Sequence, residues 1–229
     1  MIKDFSIVIS NTLRSFVYLY KLKKNKLPPK EIIYIDDKLN NKFSNQLRKN
    51  NFFFKEIKLK KFYAKKINSK VSNYLSKIKS KNIIFSSYPG DIIKNTTLLK
   101  KKNILHSHPG KLPAFKGSTT IYYSILSIKK IYCSTIILSK DLDSGKILLV
   151  KEYPFPKLSS KIDKLYDCEI RAKNLIETLK RSSLTKVNKN NQKINNIYHV
   201  IHPLLRSIAF KKLNSMMDKK VDIYQDCYE

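Results

Sequence analysis

Three cysteines, four glycines, no tryptophan and only 17 acidic residues stand in a chain of 229. Each shortage excludes something. Cys133, Cys168 and Cys227 are odd in number and far apart, so neither a disulfide framework nor a CxxC metal site is expected. No apolar run is long enough to cross a bilayer. The first residues, Met1 to Phe5, lack the apolar stretch and small-residue cleavage site of a secretory signal. Together these absences predict a reduced, cytoplasmic protein without membrane attachment. The hydrophobic content of 42% is that of a folded chain. Its length suits one ordinary domain with a modest C-terminal extension.

The scarcity of acid against 47 Lys and Arg leaves a net charge of +30. Such a balance fits phosphate-rich partners. The excess Lys, however, comes with abundant Asn, Ile and Tyr, all with A/T-rich codons, so genome composition accounts for the charge as well. A solvated Lys-rich surface and an attraction for an anionic substrate both remain open. A nucleic-acid groove is not expected, because the lysines are scattered instead of gathered on one face.

Phe5–Ser10 reads as a first strand, followed by Asn11 as a helix N-cap and Leu13, Phe16, Val17 and Tyr20 at helical spacing. Pro28-Pro29 breaks the chain before a second strand, Glu31–Ile35, and Phe52–Leu59 reads as a third. Val71, Tyr74, Leu75 and Ile78 predict a helix, and Asn82–Ser86 a buried strand ending at the turn Tyr88-Pro89-Gly90. A strand near Asn103–Leu105 runs into an irregular stretch, His106 to Gly117, after which Ser118 caps a helix through Ile128. Tyr132–Leu138 and Ile147–Tyr153 read as strands joined by the loop Ser139–Gly145. A long helix opens at Ser160-x-x-Asp163 and carries the stripe Leu165, Cys168, Ala172, Leu175, Ile176 and Leu179. A last helical segment spans Ile197–Met217, where Leu204, Leu205, Ile208 and Ala209 have the spacing of a buried face.

This alternation predicts an α/β fold, a mostly parallel sheet flanked by helices. The expected organisation is an α/β domain over 1–181, a polar linker over 182–196 and a helical extension over 197–229. In such sheets ligands sit outside the C-terminal ends of the strands, which points to the loops after Phe85 and Leu105.

Each of the four glycines, Gly90, Gly110, Gly117 and Gly145, falls in an irregular stretch after a strand or in a loop between two strands. In a chain so poor in Gly, each answers a backbone need. The histidines pair as unevenly: His106 with His108, His199 with His202. Three readings are open. The histidines fill gaps; or HxH and HxxH present imidazoles to a metal, although no carboxylate or Cys cluster nearby completes a site; or an imidazole performs acid–base or oxyanion chemistry, oriented by a carboxylate from another loop.

The stretch Asn103-Ile-Leu-His-Ser-His-Pro-Gly-Lys-Leu-Pro-Ala-Phe-Lys-Gly117 resembles the signature loop of the formyltransferase superfamily. The family pattern is Asn-x-His-Pro-Ser-x-Leu-Pro, then an aromatic, a basic residue and Gly. Asp141-Leu-Asp143-Ser-Gly145-Lys-Ile is similar to the family's Asp-x-Gly loop before a strand. The similarity covers residues 80–180 well and the N-terminal strands loosely. It implies a Rossmann-like fold and formyl transfer from 10-formyltetrahydrofolate to an amine. It also implies His108 as oxyanion stabiliser and general acid, with Asp143 holding that ring charged and oriented and assisting proton removal. The resemblance places the folate against Tyr88, Pro89, Gly90, Asp91 and Ile92 and against Leu138, Ser139 and Asp141. The acceptor falls to Ser107, Pro109, Gly110, Lys116 and Gly117, and no metal is called for.

One departure is His106, standing where the family has Asn. It reads either as a substitute donor in a variant site or as the mark of weakened catalysis in a folate- or sugar-binding homologue. The stretch Ile9-Ser-Asn-Thr-Leu13 lacks the Gly-rich turn of the glycinamide ribonucleotide enzymes. The residues after the long helix are too few for the further barrel domain of the methionyl-tRNA enzymes. By elimination the resemblance points to a sugar-type enzyme acting on a small amine, a (nucleotide-linked) amino sugar for a surface glycan. His199, His202 and Arg206 either contact this acceptor or pack the tail. The oligomeric state is open, a homodimer included.

Overall fold

The computed structural model describes residue 2 and residues 4–36, 57–156, 161–181 and 196–216. The chain forms two compact units, residues 1–106 with 179–183, and residues 107–178 with 184–229.

In the first unit, strand β1 (Phe5–Ser10) leads into helix α1 (Leu13–Lys24), then β2 (Glu31–Asp36) and β3 (Lys58–Tyr63). Helix α2 (Ser69–Lys77), β4 (Asn82–Ser86), the short helix α3 (Thr96–Lys101) and the start of β5 (Asn103–His108) follow. β1 pairs parallel with both β2 and β4, β2 with β3, and β4 with β5. β1 is buried along its whole length, as its unbroken run of Phe5, Ile7, Val8 and Ile9 requires of a parallel strand covered on both faces. The α/β class, the mostly parallel sheet and the flanking helices are those read from the sequence.

The first helix is capped by Thr12, not Asn11. Helix α1 starts at Leu13, so Thr12 is the residue whose side chain can accept the Ser15 N–H at the third helical position. The described β3, Lys58–Tyr63, runs later than expected, through Phe62 and Tyr63. Residues 52–56 of that expectation lie outside the described residues.

In the second unit, β5 ends, and β6 (Lys116–Gly117), α4 (Thr120–Ile128), β7 (Ile131–Leu138) and β8 (Gly145–Tyr153) follow. A π-helical turn, Ile162–Tyr166, feeds α5 (Asp167–Lys180). β9 (Ile197–Tyr198) and α6 (Pro203–Ser215) complete it. β7 and β8 form an antiparallel hairpin with an irregularity at Thr135/Ile136, and β6 pairs parallel with β9. The cap of α4 is Thr119, at φ 51° and without a side-chain capping bond, in place of the expected Ser118. Its hydroxyl is used instead to accept the Ile201 N–H at 2.9 Å. The predicted opening residue Ser160 lies outside the described residues, whereas the stripe from Leu165 to Leu179 is buried as expected.

The tail departs most from the sequence reading. Ile197–Tyr198 is a strand, and the helix begins only at Pro203, where His202 Nδ1 accepts the Leu204 N–H. Leu204 (64% exposed), Leu205 (41%) and Ile208 (44%) face outward, while Ala209 and Leu213 are buried. The inward face is the one bearing Ala209 and Leu213; Arg206, itself exposed, pairs with Asp163 and lies over the rings of Tyr122 and Phe210. Among the described residues no helix is long and apolar enough to cross a membrane.

Candidate active site

Strand alternation puts His106 and His108 on one face of β5 and Ser107 on the other. Ser107 is fully buried, its hydroxyl 2.9 Å from Thr135 Oγ1. Asn174 donates to Thr135 Oγ1 at 2.8 Å and accepts from the Tyr153 hydroxyl at 3.1 Å. Arg171, paired with Asp167, donates to the Ser107 carbonyl at 3.0 Å. This chain of buried bonds fixes the end of the strand from behind. Ser107 therefore sits in the support of the strand, with Thr135 as its hydroxyl's partner.

The loop after β5 is folded back by short side-chain bonds. Ser134 donates to the Gly110 carbonyl at 2.5 Å and accepts the Leu112 N–H at 3.0 Å; Thr120 donates to the Pro109 carbonyl at 2.7 Å. A Cβ on Gly110 would lie 2.8 Å from the Phe115 carbonyl oxygen and 2.9 Å from both His108 Nε2 and Thr120 Oγ1. Only glycine lets the chain pass so close to the imidazole.

His108 is 2% exposed. Its Nε2 lies 2.7 Å from the carbonyl oxygen of Phe115. A carbonyl only accepts, so Nε2 carries hydrogen and donates it. The other nitrogen, Nδ1, faces Asp143 Oδ2 at 3.5 Å. That same oxygen accepts the Gly117 N–H at 2.7 Å. Asp143 sits at φ +45°, a left-handed backbone rare for a residue with a side chain and common at functional positions. The hairpin tip that carries it is closed by Ser139, whose N–H and hydroxyl both donate to the Ser144 carbonyl. Lys116 reaches Ser144 Oγ at 3.2 Å.

Burial is the main influence on His108 and lowers its pKa; Asp143 and the Phe115 carbonyl oppose it, and Arg171 adds to the lowering. The resting ring is neutral, hydrogen on Nε2, lone pair on Nδ1. A proton arriving on Nδ1 forms an ion pair with Asp143 where little water screens it.

In the first unit, Tyr88 to Asp91 form a turn closed by the Asp91 N–H on the Tyr88 carbonyl, with Gly90 at φ +76°. The Asp91 carboxylate accepts from the Ile67 N–H and the Ser87 hydroxyl, and the Tyr88 hydroxyl donates to Asp36. Pro89, Gly90 and Ile92 are exposed. His106 is half-buried, its Nδ1 3.5 Å from the Phe85 carbonyl. In the second unit Leu138 and Ser139 are half-buried and Asp141 is exposed. The described residues with donors suited to a metal are His106, His108 and Asp143. Of these, His108 has only Nδ1 to offer.

The structure thus brings together His108, Asp143, Gly110, Lys116 and Gly117, with Pro109 buried beside them. It adds Phe115, Thr120, Ser134 and Tyr198, none of them expected. Phe115 acts through its carbonyl, which every residue has, so only its place in the signature pattern marks it. Tyr198 pairs with Gly117 across 81 positions, which no local pattern reveals. Arg206, His202 and the His199 carbonyl, which accepts from Thr119, are engaged in packing and capping the tail.

The sequence model of a family described as formyl transferase matches residues 5–174. No curated protein sequence matches the chain. Among solved structures, a sugar N-formyltransferase from a Shewanella species is similar at a TM-score of 0.60 and 14% identity, over 91% of this chain and 87% of that one. A 4-N formyltransferase from Francisella tularensis is similar at 0.59 and 15%, over 92% and 88%. A phosphoribosylglycinamide formyltransferase from Bacillus halodurans is similar at 0.56 and 20%, over 76% and 92%. At these identities the likeness is one of fold.

Proposed function

The chain belongs to the formyl transferase family, and on that premise we propose that it moves a formyl group from 10-formyltetrahydrofolate to the amine of a small acceptor, a nucleotide-linked amino sugar. The observation that carries this reading is the buried His108–Asp143 pair, with Nε2 tied to Phe115 and Nδ1 left to exchange a proton.

The donor supplies an activated formyl carbon. Attack by the neutral amine forms a carbon–nitrogen bond and puts negative charge on the formyl oxygen. Collapse then breaks the bond to the folate nitrogen. One proton must leave the acceptor nitrogen and one must reach the departing nitrogen. His108 Nδ1 takes and returns it, and Asp143 stabilises the imidazolium in between. His106 faces the same side of β5 and serves as donor to the oxyanion.

Of the residues that the resemblance assigns to the donor, Pro89, Gly90 and Ile92 are exposed in the first unit and Asp141 in the second. Against a ribonucleotide acceptor stands the start of α1. Thr12 takes the Ser15 N–H, Ser15 Oγ takes the Ser10 N–H, and Arg14 is held by Ser86 and Ser87. The Ser15 N–H and the side chains of Thr12, Arg14 and Ser15 at this helix start are thus engaged internally. A sugar acceptor is supported by the larger share of this chain that the sugar N-formyltransferase and the 4-N formyltransferase match, 91% and 92% against 76% for the ribonucleotide enzyme. A cytoplasmic setting accords with Cys133 and Cys168, both buried and free.

The test is incubation with 10-formyltetrahydrofolate and a panel of nucleotide-linked amino sugars, glycinamide ribonucleotide and methionyl-tRNA, read by mass spectrometry with His108→Ala as control. Formylation of a sugar amine that vanishes in the variant is expected. Formylation of another acceptor overturns the choice of substrate. Folate binding without any product favours a disabled homologue, the reading motivated by His106.

A further inference from the structure

Both members of the proton-exchanging pair are held from one three-residue stretch. The Phe115 carbonyl fixes His108 and the Gly117 N–H fixes Asp143, each at 2.7 Å. Nothing within that stretch explains why it keeps its shape: it is a two-residue strand following an irregular loop. Its other edge, however, is occupied. Lys116 and Gly117 pair in parallel with Ile197 and Tyr198, and the Ser118 N–H donates to the Tyr198 carbonyl at 2.8 Å. The Tyr198 ring stacks on Phe115, centroids 5.5 Å apart at 18°, and rests against Tyr123 at 4.5 Å. The fit at Gly117 is so close that a Cβ would stand 2.1 Å from the Tyr198 carbonyl oxygen.

We propose that Tyr198 is a positioning residue for the reaction: through its stack on Phe115 and its strand pairing with Gly117, β9 sets the tautomer of His108 and the placement of Asp143. It touches neither reacting group and acts through the two backbone groups that do. The stack depends on the ring and not on the hydroxyl, so phenylalanine serves in its place. The kinetic part of this inference rests on the formyl-transfer reading; the part concerning His108 does not.

The experiment compares wild type, Tyr198→Phe, Tyr198→Leu and Tyr198→Ala by NMR of protein labelled with 15N-histidine, which reports the tautomer and titration of each ring. In wild type and Tyr198→Phe, His108 holds hydrogen on Nε2 and titrates below an ordinary histidine. In Tyr198→Leu and Tyr198→Ala the Nε2–H preference weakens and the titration moves toward that of a free ring. Tyr198→Leu keeps apolar volume at the site and reports even where Tyr198→Ala does not fold. In turnover, kcat falls about 10- to 100-fold in the two non-aromatic variants with KM within about twofold, the pattern of misplacement at the reacting centre. A His108 signal unchanged in the folded Tyr198→Leu variant overturns the proposal and makes β9 a strap for stability alone. Should wild type turn over no acceptor, the NMR comparison still decides.

Discussion

His108 Nε2 donates to the carbonyl oxygen of Phe115 at 2.7 Å, and this one bond decides which nitrogen of the ring keeps its hydrogen. Because the partner is a carbonyl, the hydrogen on Nε2 is committed, and the exchangeable position is Nδ1, beside Asp143. The imidazole is thus presented in one tautomer before any ligand arrives. A carboxylate in that partnership would have drawn positive charge to the wrong edge of the ring.

Replacing the pair tests its division of labour. His108→Ala is expected to lower kcat by about three orders of magnitude, and Asp143→Asn by about two. Asn keeps the size of Asp143 but cannot stabilise the imidazolium, so KM for the donor stays within a few-fold. Steady-state kinetics with the acceptor that the mass-spectrometric panel identifies read both numbers.

The pH dependence of stability has a definite sign. The folded-state pKa of His108 lies below its ordinary value of 6.5, chiefly through burial. Below about 6.5 the unfolded chain takes up a proton that the folded chain does not. This contribution to stability is therefore complete above that pH and is lost as pH falls through the folded-state pKa. Thermal melts between neutrality and mild acid are expected to show a fall in Tm that is smaller in His108→Gln. Equal slopes in the two proteins would contradict it.

His106 separates the two readings of the family departure. If it is the oxyanion donor, His106→Ala costs about 100- to 1,000-fold in kcat, and His106→Asn, which supplies an amide donor without needing charge, retains activity or raises it. An alanine variant as active as wild type would remove His106 from the chemistry.

Gly110→Ala places a methyl within 2.9 Å of three atoms, two of them backbone or ring atoms that cannot turn aside. A loss of about 1–3 kcal/mol is expected, with His108 displaced from Phe115. Urea unfolding measures the first and the histidine NMR signal the second.

Much of this was written in the sequence where a side chain's own pattern carried it. β1, β2, β4 and the stripe on α5 are contiguous or periodic runs of apolar residues, and burial simply follows the run. His108 and Asp143 stand out as rare residue types in irregular stretches. What was hidden depended on backbone or on distant partners. The cap of α1 shifted by one residue because only the true first turn decides which side chain reaches it. Leu204, Leu205 and Ile208 have a convincing apolar spacing, yet it is the face bearing Ala209 and Leu213 that is buried. The π-helical turn at Ile162–Tyr166 changes no residue type. The Phe115 carbonyl and the pairing of Gly117 with Tyr198 leave no trace in composition or periodicity at all.

That pairing also bears on the order in which the protein is made. A ribosome releases His108 and Asp143 well before it reaches Ile197 and Tyr198. A chain interrupted at residue 190 would hold both reactive side chains and the whole stretch from 5 to 174 that marks the family, but not β9. If β9 positions the pair as proposed, half-made chains of this protein carry the two side chains without their alignment, and a nonsense mutation in the tail is then a lesion of the active site, however far along the gene it falls.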